Sequence, residues 1–576
     1  MTKILDKNFN LAKLKTLKLD ELNKLATEIR TYIKNICAQN GGHLAGNLGA
    51  VELTLALHYV FSSPKDKLIF DVGHQSYTHK ILTNRFQALQ TLRQKNGLSG
   101  FTQPQESKHD VNVAGHAGNA ISIATGLSFG SPNNCKIAIV GDGCLLNGMS
   151  IEALNHLATS QQNVLIIIND NDYSIDRCPG AIARQNQYQA LIESFGLPYL
   201  GPIDGHNLAM MIDAFKQMKN YSRPRVIHLK TQKGKGDQAS EQNPAQMHFY
   251  QKSKSQAKII KLSNFIGDQL LESALKDPKI HLVTPAMSQG GGFVNFAQKL
   301  PKRFYDVGIA ESHALGLSAG LALGGKKPFC HLYASFMQRA YDQLIHDIAI
   351  PQLPVTILLD RCGLVGNDGV THQGTLALNF LNLIPNLQIL NPGDINEVIS
   401  SLQLAQKSEL PTIIMYPKAE IDYNQINQVK VTTLLPHYVK QSTSPILVIS
   451  IGWIKQNIVA ATNDLNIDHY HLPLVKPLPI DQILLIIKKY QHVIVIEENS
   501  LIGGLGQIIR SFAPTNLSFT HLTLPDEFIT HASREEQLRE VGLDIASLRR
   551  QISKIISQYT YQTNNYQPLS AISAIS

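Results

Sequence analysis

Short apolar runs that end abruptly in small, polar or acidic residues recur along the whole chain. They cover residues 136–140, 163–168, 353–359, 411–416, 445–451 and 491–496. Each run has the length of a buried strand, is bounded by turn-forming or polar residues, and lies between helical patterns. This alternation of strand and helix predicts an α/β protein with mainly parallel sheets flanked by helices.

Two polar segments divide the chain into three parts. The first covers residues 251–256, where Lys and Ser alternate, and the second covers residues 420–444. A chain of 576 residues is too long for a single hydrophobic core. We therefore expect three domains, at residues 1–255, 256–425 and 440–570.

The composition is that of a globular protein, with 43% hydrophobic and 17% charged residues. Lys and Arg exceed Asp and Glu by 52 to 44 without forming a basic block, which gives little support to nucleic-acid binding. The six cysteines show no CxxC pair and no zinc-ligand spacing, as expected in a reducing compartment. No apolar stretch has the length of a signal peptide core or a membrane span, so we expect a cytoplasmic protein.

The first candidate site follows two predicted strands. Gly141-Asp142-Gly143 comes directly after one strand, and Asn171 lies 29 residues beyond Asp142, just past the next strand. The carboxyl ends of both strands should lie at one edge of a parallel sheet, where glycines allow the backbone to approach a phosphate closely. The Asp carboxylate, the Asn amide oxygen and the backbone carbonyl of Tyr173 suit Mg²⁺. Such a tripeptide more often marks a turn, so the residues alone leave both interpretations open.

The second candidate is Glu311, which follows a predicted strand at residues 303–310 and opens an apolar helix at residues 312–324. A carboxylate at a helix start is favoured by the helix dipole and needs no further function. The residue therefore has a structural and a chemical interpretation.

Together these segments resemble the cofactor signature of thiamine-diphosphate enzymes of the transketolase superfamily. Within it the chain most closely resembles the 1-deoxy-D-xylulose-5-phosphate synthase family, over nearly its whole length. The matching segments are residues 42–49, 51–54, 71–77, 79–80, 97–101, 152–155, 204–207, 233–236, 338–343 and 368–374.

The resemblance implies a transketolase-like thiamine-diphosphate-binding fold and a transferase that depends on Mg²⁺ and thiamine diphosphate. The implied substrates are pyruvate and D-glyceraldehyde 3-phosphate, and the products are 1-deoxy-D-xylulose 5-phosphate and CO₂. This product would feed isoprenoid, thiamine and pyridoxal phosphate synthesis. A homodimer is implied, with neither membrane nor nucleic acid as a partner.

The resemblance also implies roles for individual residues. Glu311 would hydrogen-bond the aminopyrimidine ring and start the proton relay that activates the cofactor. The other implied catalytic residues are His43, His74, His372 and His248. The implied cofactor contacts are His74, Gly115, His116, Ala117, Asp142, Gly143, Cys144, Asn171 and Glu311, with Asp142, Asn171 and Tyr173 as metal ligands. The implied substrate contacts are Tyr333, Arg339, Arg361, Asp368 and Lys418.

Several positions depart from the family pattern. Lys418 lies in Met-Tyr-Pro-Lys-Ala, where the family has Arg-Tyr-Pro-Arg-Gly, and Lys cannot reproduce the bidentate phosphate grip of Arg. Asp237 replaces a Tyr expected at the cofactor, the loops at residues 115–120 and 375–377 differ, and the segment between Asn171 and Asp204 is short. Two alternatives therefore stay open: a carboligase with a different acceptor, and a non-catalytic paralogue.

Overall fold

The N-terminal part of the chain is built on a five-stranded parallel sheet. The computed structural model describes residues 3–250, 259–422, 426 and 429–564. The strands are β1 (Lys67–Phe70), β2 (Lys136–Gly141), β3 (Val164–Asp170), β4 (Tyr199–Asp204) and β5 (Arg225–Lys230). Their order is β1-β2-β3-β5-β4, and all neighbours are parallel. All five carboxyl ends therefore meet at one edge of the sheet.

Helices cover both faces of this sheet. Along β2, Ile137 and Ile139 pack into one apolar core, whereas Ala138 and Val140 pack into the other. Because side chains alternate along a strand, an uninterrupted apolar run fills both cores. The helices of this part are Leu11–Leu14, Leu19–Asn40, Ala45–Gly49, Val51–Val60, Tyr77–Lys80, Ala120–Gly130, Asp142–Leu145, Gly148–Ala158, Ala181–Arg184, Tyr188–Ser194, Leu208–Lys219 and Gln238–Gln242.

A second sheet forms the middle of the molecule. The strands of this part are β6 (Ile259–Lys261), β7 (Ile280–Thr284), β8 (Phe304–Asp306), β9 (Lys327–Tyr333), β10 (Thr356–Asp360), β11 (Gln388–Leu390), β12 (Thr412–Met415) and β13 (Glu420–Asp422). Strands β7 to β12 lie parallel in the order β11-β12-β10-β9-β7-β8, and β6 pairs antiparallel with β13. The helices are Leu262–Lys276, Val294–Lys299, Glu311–Leu323, Ala334–Met337, Tyr341–Gln343, Ala377–Asn382 and Ile395–Ala405.

The C-terminal part adds a third sheet. Its strands are β14 (His437–Lys440), β15 (Ile446–Ile451), β16 (Asp468–His471), β17 (Leu474–Lys476), β18 (His492–Ser500) and β19 (Ser518–Leu524). The sheet has the order β14-β16-β15-β18-β19, while β17 pairs antiparallel with β11 at the edge of the middle sheet. The helices are Lys455–Thr462, Ile480–Ile487, Leu505–Phe512, Arg534–Glu540 and Ile545–Asn564.

The middle and C-terminal parts share one continuous core. Cys330 and Ile357 of the middle sheet and Ile449 and Val495 of the third sheet belong to the same buried cluster. Each fully buried aliphatic side chain contributes about 1.5–3 kcal/mol, so this shared core holds the two parts firmly together. Within the described part of the chain, no helix is long and apolar enough to cross a membrane.

The α/β fold with parallel sheets is confirmed, and each of the six predicted strands is present. The linker predicted at residues 251–256 lies outside the described residues. The second predicted linker, at residues 420–444, was only partly right, because it contains β13 and β14. Both strands are short and are stabilised by pairing with distant strands, which a local polar pattern does not reveal.

Candidate active site

The Asp142 region lies at the carboxyl edge of the first sheet, as the sequence predicts. Gly141 pairs with Asn169 across β2 and β3, so Asp142 and Asn171 leave the sheet side by side. The buried Asp142 carboxylate accepts hydrogen bonds from the backbone N–H groups of Gly143 (2.8 Å) and Asn171 (3.3 Å). Burial, together with the nearby charge of Asp170, raises the pKa of Asp142 to about 7. A cation beside this carboxylate would offset both effects.

The oxygen donors at this edge suit Mg²⁺. The amide oxygen of Asn171 accepts from the N–H of Tyr173 at 3.2 Å, so both residues lie beside Asp142. Among the residues that the structure describes, no group of three or more His, Cys, Asp or Glu is placed to hold a metal. A single carboxylate with amide and carbonyl oxygens fits a hard cation that shares phosphate ligands. Asp170 does not belong to this set, because it pairs with His228 (2.9 Å).

Lys233 is a candidate that the sequence interpretation left without a role. Its ammonium group donates to the carbonyl of Ser174 (2.6 Å) and lies 5.6 Å from the ring centre of Tyr173. Burial lowers the pKa of Lys233 to about 8, against the raising effect of Asp142. The sequence position of Lys233 could have indicated this role, because β5 ends beside β3 at the Asp142 edge and Lys233 follows shortly after the end of β5.

The loop at residues 115–120 joins this edge to the middle part of the chain. Its Gly118 and Ala120 N–H groups donate to Asp71 (2.8 and 3.1 Å). A Cβ on Gly115 would lie 2.3 Å from the Cβ of Thr371, so only glycine fits there. His116 Nε2 donates a hydrogen bond to the carbonyl of Thr371 at 2.8 Å. The predicted cofactor loop therefore contacts the middle part directly.

Two further predicted cofactor contacts are Ala117, within this loop, and Cys144, in the helical turn that follows β2. The carbonyl of Ala117 accepts from Arg339 at 2.6 Å. Cys144 lies in the helical turn that Asp142 opens, and burial raises the pKa of its thiol well above the usual range. The thiol is therefore uncharged, and Cys144 would contribute its backbone and not a thiolate.

Three predicted catalytic histidines pack together. The ring centres of His43 and His74 are 5.4 Å apart, and the ring centre of His248 lies 5.3 Å from each of them. His74 Nδ1 donates to the carbonyl of Val72 at 2.7 Å, whereas the buried Nδ1 atoms of His43 and His248 have no hydrogen-bond partner among the residues that the structure describes. Burial lowers the pKa of all three, to about 4 for His74. Neutral imidazoles with unsatisfied nitrogens indicate a site for a polar ligand.

Glu311 lies at the first position of its helix, with its side chain buried beside Arg339. Arg339 Nη1 is 3.4 Å from Glu311 Oε2. Burial raises the pKa of Glu311, and Arg339 counteracts part of this rise. A buried carboxyl group with a raised pKa suits the predicted proton relay.

The predicted substrate contacts form a charged group. Arg93 Nη2 lies 2.7 Å from Asp368 Oδ1, and Lys418 Nζ lies 3.4 Å from Asp368 Oδ2. Although burial would raise the pKa of Asp368, Lys418 and Arg93 hold it well below its usual range. Arg361 pairs with Asp360 and stacks 3.9 Å from the ring centre of Tyr333. Arg93 had no assigned role in the sequence interpretation.

Aromatic rings connect the histidine cluster with the charged group. The ring centre of Phe101 lies 5.5 Å from that of His43. The same ring stacks on His372, with 5.2 Å between ring centres and an interplanar angle of 12°. The ring centre of Phe336 lies 5.6 Å from that of His372 and 5.4 Å from that of Tyr333. These rings therefore join the histidine cluster of the N-terminal part to His372 and Tyr333 of the middle part of the same chain.

Asp237 differs from the sequence expectation. Its carboxylate pairs with Lys34 at 2.7 Å and caps helix Gln238–Gln242 by accepting from the N–H of Ser240 at 3.1 Å. The negative charge of Asp237 is therefore paired with Lys34 within the N-terminal part. The short segment after Asn171 contacts the middle part, where Ser288 donates to Asp176 at 2.6 Å.

Several residues in this region have strained backbone conformations. Val72, Arg93, Arg361 and Asn367 adopt positive φ angles of 49°, 62°, 59° and 55°. Each such conformation costs about 1–3 kcal/mol in a residue other than glycine and persists where surrounding contacts enforce it. All four residues adjoin the predicted site residues, which supports a functional site here.

Comparison with known families accounts for almost the whole chain. The N-terminal family profile, described as 1-deoxy-D-xylulose-5-phosphate synthase, matches residues 5–190 and 183–231. The pyrimidine-binding domain of transketolase matches residues 258–422, and the transketolase C-terminal domain matches residues 438–548.

Curated relatives match over nearly their full length. The 1-deoxy-D-xylulose-5-phosphate synthase of Buchnera aphidicola subsp. Schizaphis graminum is 38% identical over 561 residues, covering 94% of this chain and 96% of the relative. Those of Pseudoalteromonas translucida and Caldanaerobacter subterraneus are 36% and 37% identical, covering 92% and 93% of this chain and 95% and 96% of the relatives. The chain therefore belongs to the 1-deoxy-D-xylulose-5-phosphate synthase family of transketolase-type, thiamine-diphosphate-dependent transferases.

Proposed function

We propose that this protein decarboxylates pyruvate and joins the remaining two-carbon unit to D-glyceraldehyde 3-phosphate, releasing CO₂. The observation that carries the proposal is the meeting of two groups in one chain. The rings of Phe101 and Phe336 join the histidine cluster to His372, on the loop that carries Asp368. Arg339 lies beside Glu311 and donates to the carbonyl of Ala117 in the loop at residues 115–120.

The Asp142 edge would hold the diphosphate end of the cofactor. Asp142, the amide oxygen of Asn171 and the carbonyl of Tyr173 would bind Mg²⁺, and Lys233 would add positive charge beside the diphosphate. Gly143 has no room for a side chain, because a Cβ there would lie 2.7 Å from the Cβ of Ser174. Bound thiamine diphosphate supplies a nucleophilic carbon and an electron sink for decarboxylation.

Glu311 would bind the aminopyrimidine ring and exchange a proton with it. Its side chain is buried, and this burial raises its pKa and so favours proton uptake relative to an exposed carboxylate. His43, His74 and His248 are neutral, so each can donate from one ring nitrogen and accept at the other. Together with His372 they would move protons at the pyruvate and aldehyde oxygens.

The charged group would bind the acceptor. Lys418 is less tightly held than Arg93 or Arg361, because its Nζ makes contacts of only 3.4 Å with Asp368 and with the carbonyl of Gly366. Its ammonium is therefore free to turn toward the phosphate of D-glyceraldehyde 3-phosphate. A point charge suffices for binding, although it holds the phosphate less rigidly than an arginine fork.

We further propose a cytoplasmic homodimer. The six cysteines are free thiols, which suits a reducing compartment. Sedimentation of the purified protein at several concentrations tests the dimer, and a single monomeric species throughout would contradict it.

Product identification tests the proposed reaction. The protein is incubated with Mg²⁺, thiamine diphosphate, carboxyl-labelled pyruvate and D-glyceraldehyde 3-phosphate. We expect labelled CO₂ and 1-deoxy-D-xylulose 5-phosphate in equal amounts. Absence of CO₂ would favour a non-catalytic paralogue. Equal specificity constants for glyceraldehyde and its phosphate would show that the acceptor assignment is wrong.

A further inference from the structure

The loop at residues 363–374 carries both Asp368 and His372. Its ends are joined by a bridge between Gly363 and Gly374, and inside it the N–H of Val365 donates to Gln373 at 2.7 Å. Between these points the loop has no regular secondary structure. The positions of its two functional side chains therefore depend on whatever holds its backbone from outside.

The C-terminal part of the chain holds that backbone. The N–H of Leu364 donates to Glu498 at 2.7 Å, and the N–H of Asn367 donates to the carbonyl of Ala532 at 2.6 Å. Arg534, itself paired with Glu498 at 2.6 Å, donates to the carbonyl of Leu364. None of the catalytic, cofactor-binding or acceptor-binding residues proposed above belongs to this C-terminal part, so these contacts serve to support the loop.

Gln537 lies at the centre of this support and is fully buried. Its Oε1 accepts from the N–H of Gly366 at 3.0 Å, while its Nε2 donates to the carbonyl of Thr530 at 2.9 Å and to that of Asp368 at 3.5 Å. A side-chain amide can donate and accept at once, which neither a carboxylate nor a thioether can do. The amide therefore fixes the backbone on both sides of Asn367.

The same C-terminal segment also reaches the opposite side of the acceptor region. His531 Nε2 donates to the carbonyl of Gly97 at 3.2 Å, in the segment between Arg93 and Phe101. The two partners of the Arg93–Asp368 ion pair are thus held from one short stretch of the C-terminal part.

We propose that Gln537 is a positioning residue for acceptor binding. By fixing the loop backbone, Gln537 keeps the Asp368 carboxylate in contact with Arg93 and Lys418. It also keeps the His372 ring stacked on Phe101. The inference rests on the proposed acceptor-side role of Asp368 and His372. It assigns to the C-terminal part a direct share in acceptor specificity.

The test is Gln537→Met, which keeps the side-chain volume and removes the amide. We expect the KM for D-glyceraldehyde 3-phosphate to rise about tenfold, because a buried backbone N–H loses its partner and the loop shifts. The KM for pyruvate and the Kd of thiamine diphosphate should stay unchanged. If this variant is not recovered in folded form, Gln537→Glu, which keeps the acceptor for Gly366 but loses the donor, carries the same measurement.

Gln551→Met is the matched control. Gln551 donates to the carbonyl of Gly542 at 2.8 Å, a contact that lies within the C-terminal part. It should lower the Tm comparably and leave all three constants unchanged. An unchanged acceptor KM in the folded Gln537 variant, or an equal rise with Gln551→Met, would overturn the inference. A wild-type protein that forms no product would refute the proposed function itself.

Discussion

The cofactor end and the acceptor end of the site handle charge in opposite ways. At the cofactor end, Asp142 is buried with a raised pKa, and the Nδ1 atoms of His43 and His248 have no hydrogen-bond partner within the described part of the chain. At the acceptor end, Asp368 is paired with Arg93 and Lys418, and its pKa is well below the usual range. Unsatisfied buried groups are costly unless a ligand completes them, whereas paired charges are preorganised.

This contrast indicates which kind of ligand each end of the site is suited to bind. The cofactor end gains its missing partners from a metal diphosphate and a heterocycle, which stay bound through many turnovers. The acceptor end must release a phosphorylated sugar in every cycle, and internally paired charges limit how tightly it binds. Four predictions test this contrast, ordered from the largest expected effect to the smallest.

Glu311→Ala should have the largest effect, because it removes the carboxyl group that exchanges a proton with the cofactor. We expect turnover to fall about 10³-fold while the Kd of thiamine diphosphate changes little. Steady-state rates and calorimetric titration measure the two quantities. Turnover equal to the wild type would contradict the assigned relay.

Asp368→Asn should weaken the acceptor end specifically. It leaves the buried Arg93 and Lys418 charges without their carboxylate, which costs about 2–5 kcal/mol. We expect kcat/KM for D-glyceraldehyde 3-phosphate to fall about 100-fold and the Kd of thiamine diphosphate to stay unchanged. The control is Asp464→Asn, which breaks an exposed pair with Arg549 and should change neither value. An equal loss at both ends would contradict the contrast.

Acidification should weaken Mg²⁺ binding at the cofactor end. Since the pKa of Asp142 is raised to about 7, the proton and the metal compete for the same carboxylate below that pH. We expect the affinity for Mg²⁺ to fall about tenfold for each pH unit below 7, and to be nearly constant above 8. Titration with Mg²⁺ in the presence of thiamine diphosphate measures this. A constant affinity between pH 8 and 5.5 would remove Asp142 from the metal site.

Lys418→Arg should produce the smallest effect, and in the favourable direction. A guanidinium group binds phosphate in a bidentate manner, so we expect the KM for D-glyceraldehyde 3-phosphate to fall about threefold. Unphosphorylated glyceraldehyde serves as the control substrate, and its KM should not change. A fall for both acceptors would show that residue 418 does not contact the phosphate.

Much of the fold could be predicted from the sequence because its signals are local. Uninterrupted apolar runs identified six of the parallel strands. Other parallel strands, among them β4 and β19, were not predicted, and neither were β13 and β14, which are short and partly polar. Asp142 and Asn171 could be placed together because parallel strands end at a common edge. Lys233 follows the same rule and was within reach of the sequence.

The remaining errors and omissions concern contacts between distant segments. Asp237 pairs with Lys34, and no local sequence pattern predicts that pair. Arg93 and Asp368 are 275 positions apart in sequence, and Gln537 and Gly366 are 171 apart. Their contacts exist only where the three sheets and their loops have packed together.

The sequence by itself therefore determined the α/β architecture, the glycine-rich strand tips and the chemical types of side chain at both ends of the site. These follow from side-chain periodicity and backbone geometry over a few residues. Only the tertiary structure decided which charges are neutralised and which remain unsatisfied. Burial and pairing set the pKa values of Asp142, Glu311 and Asp368, and both depend on packing between distant parts of the chain.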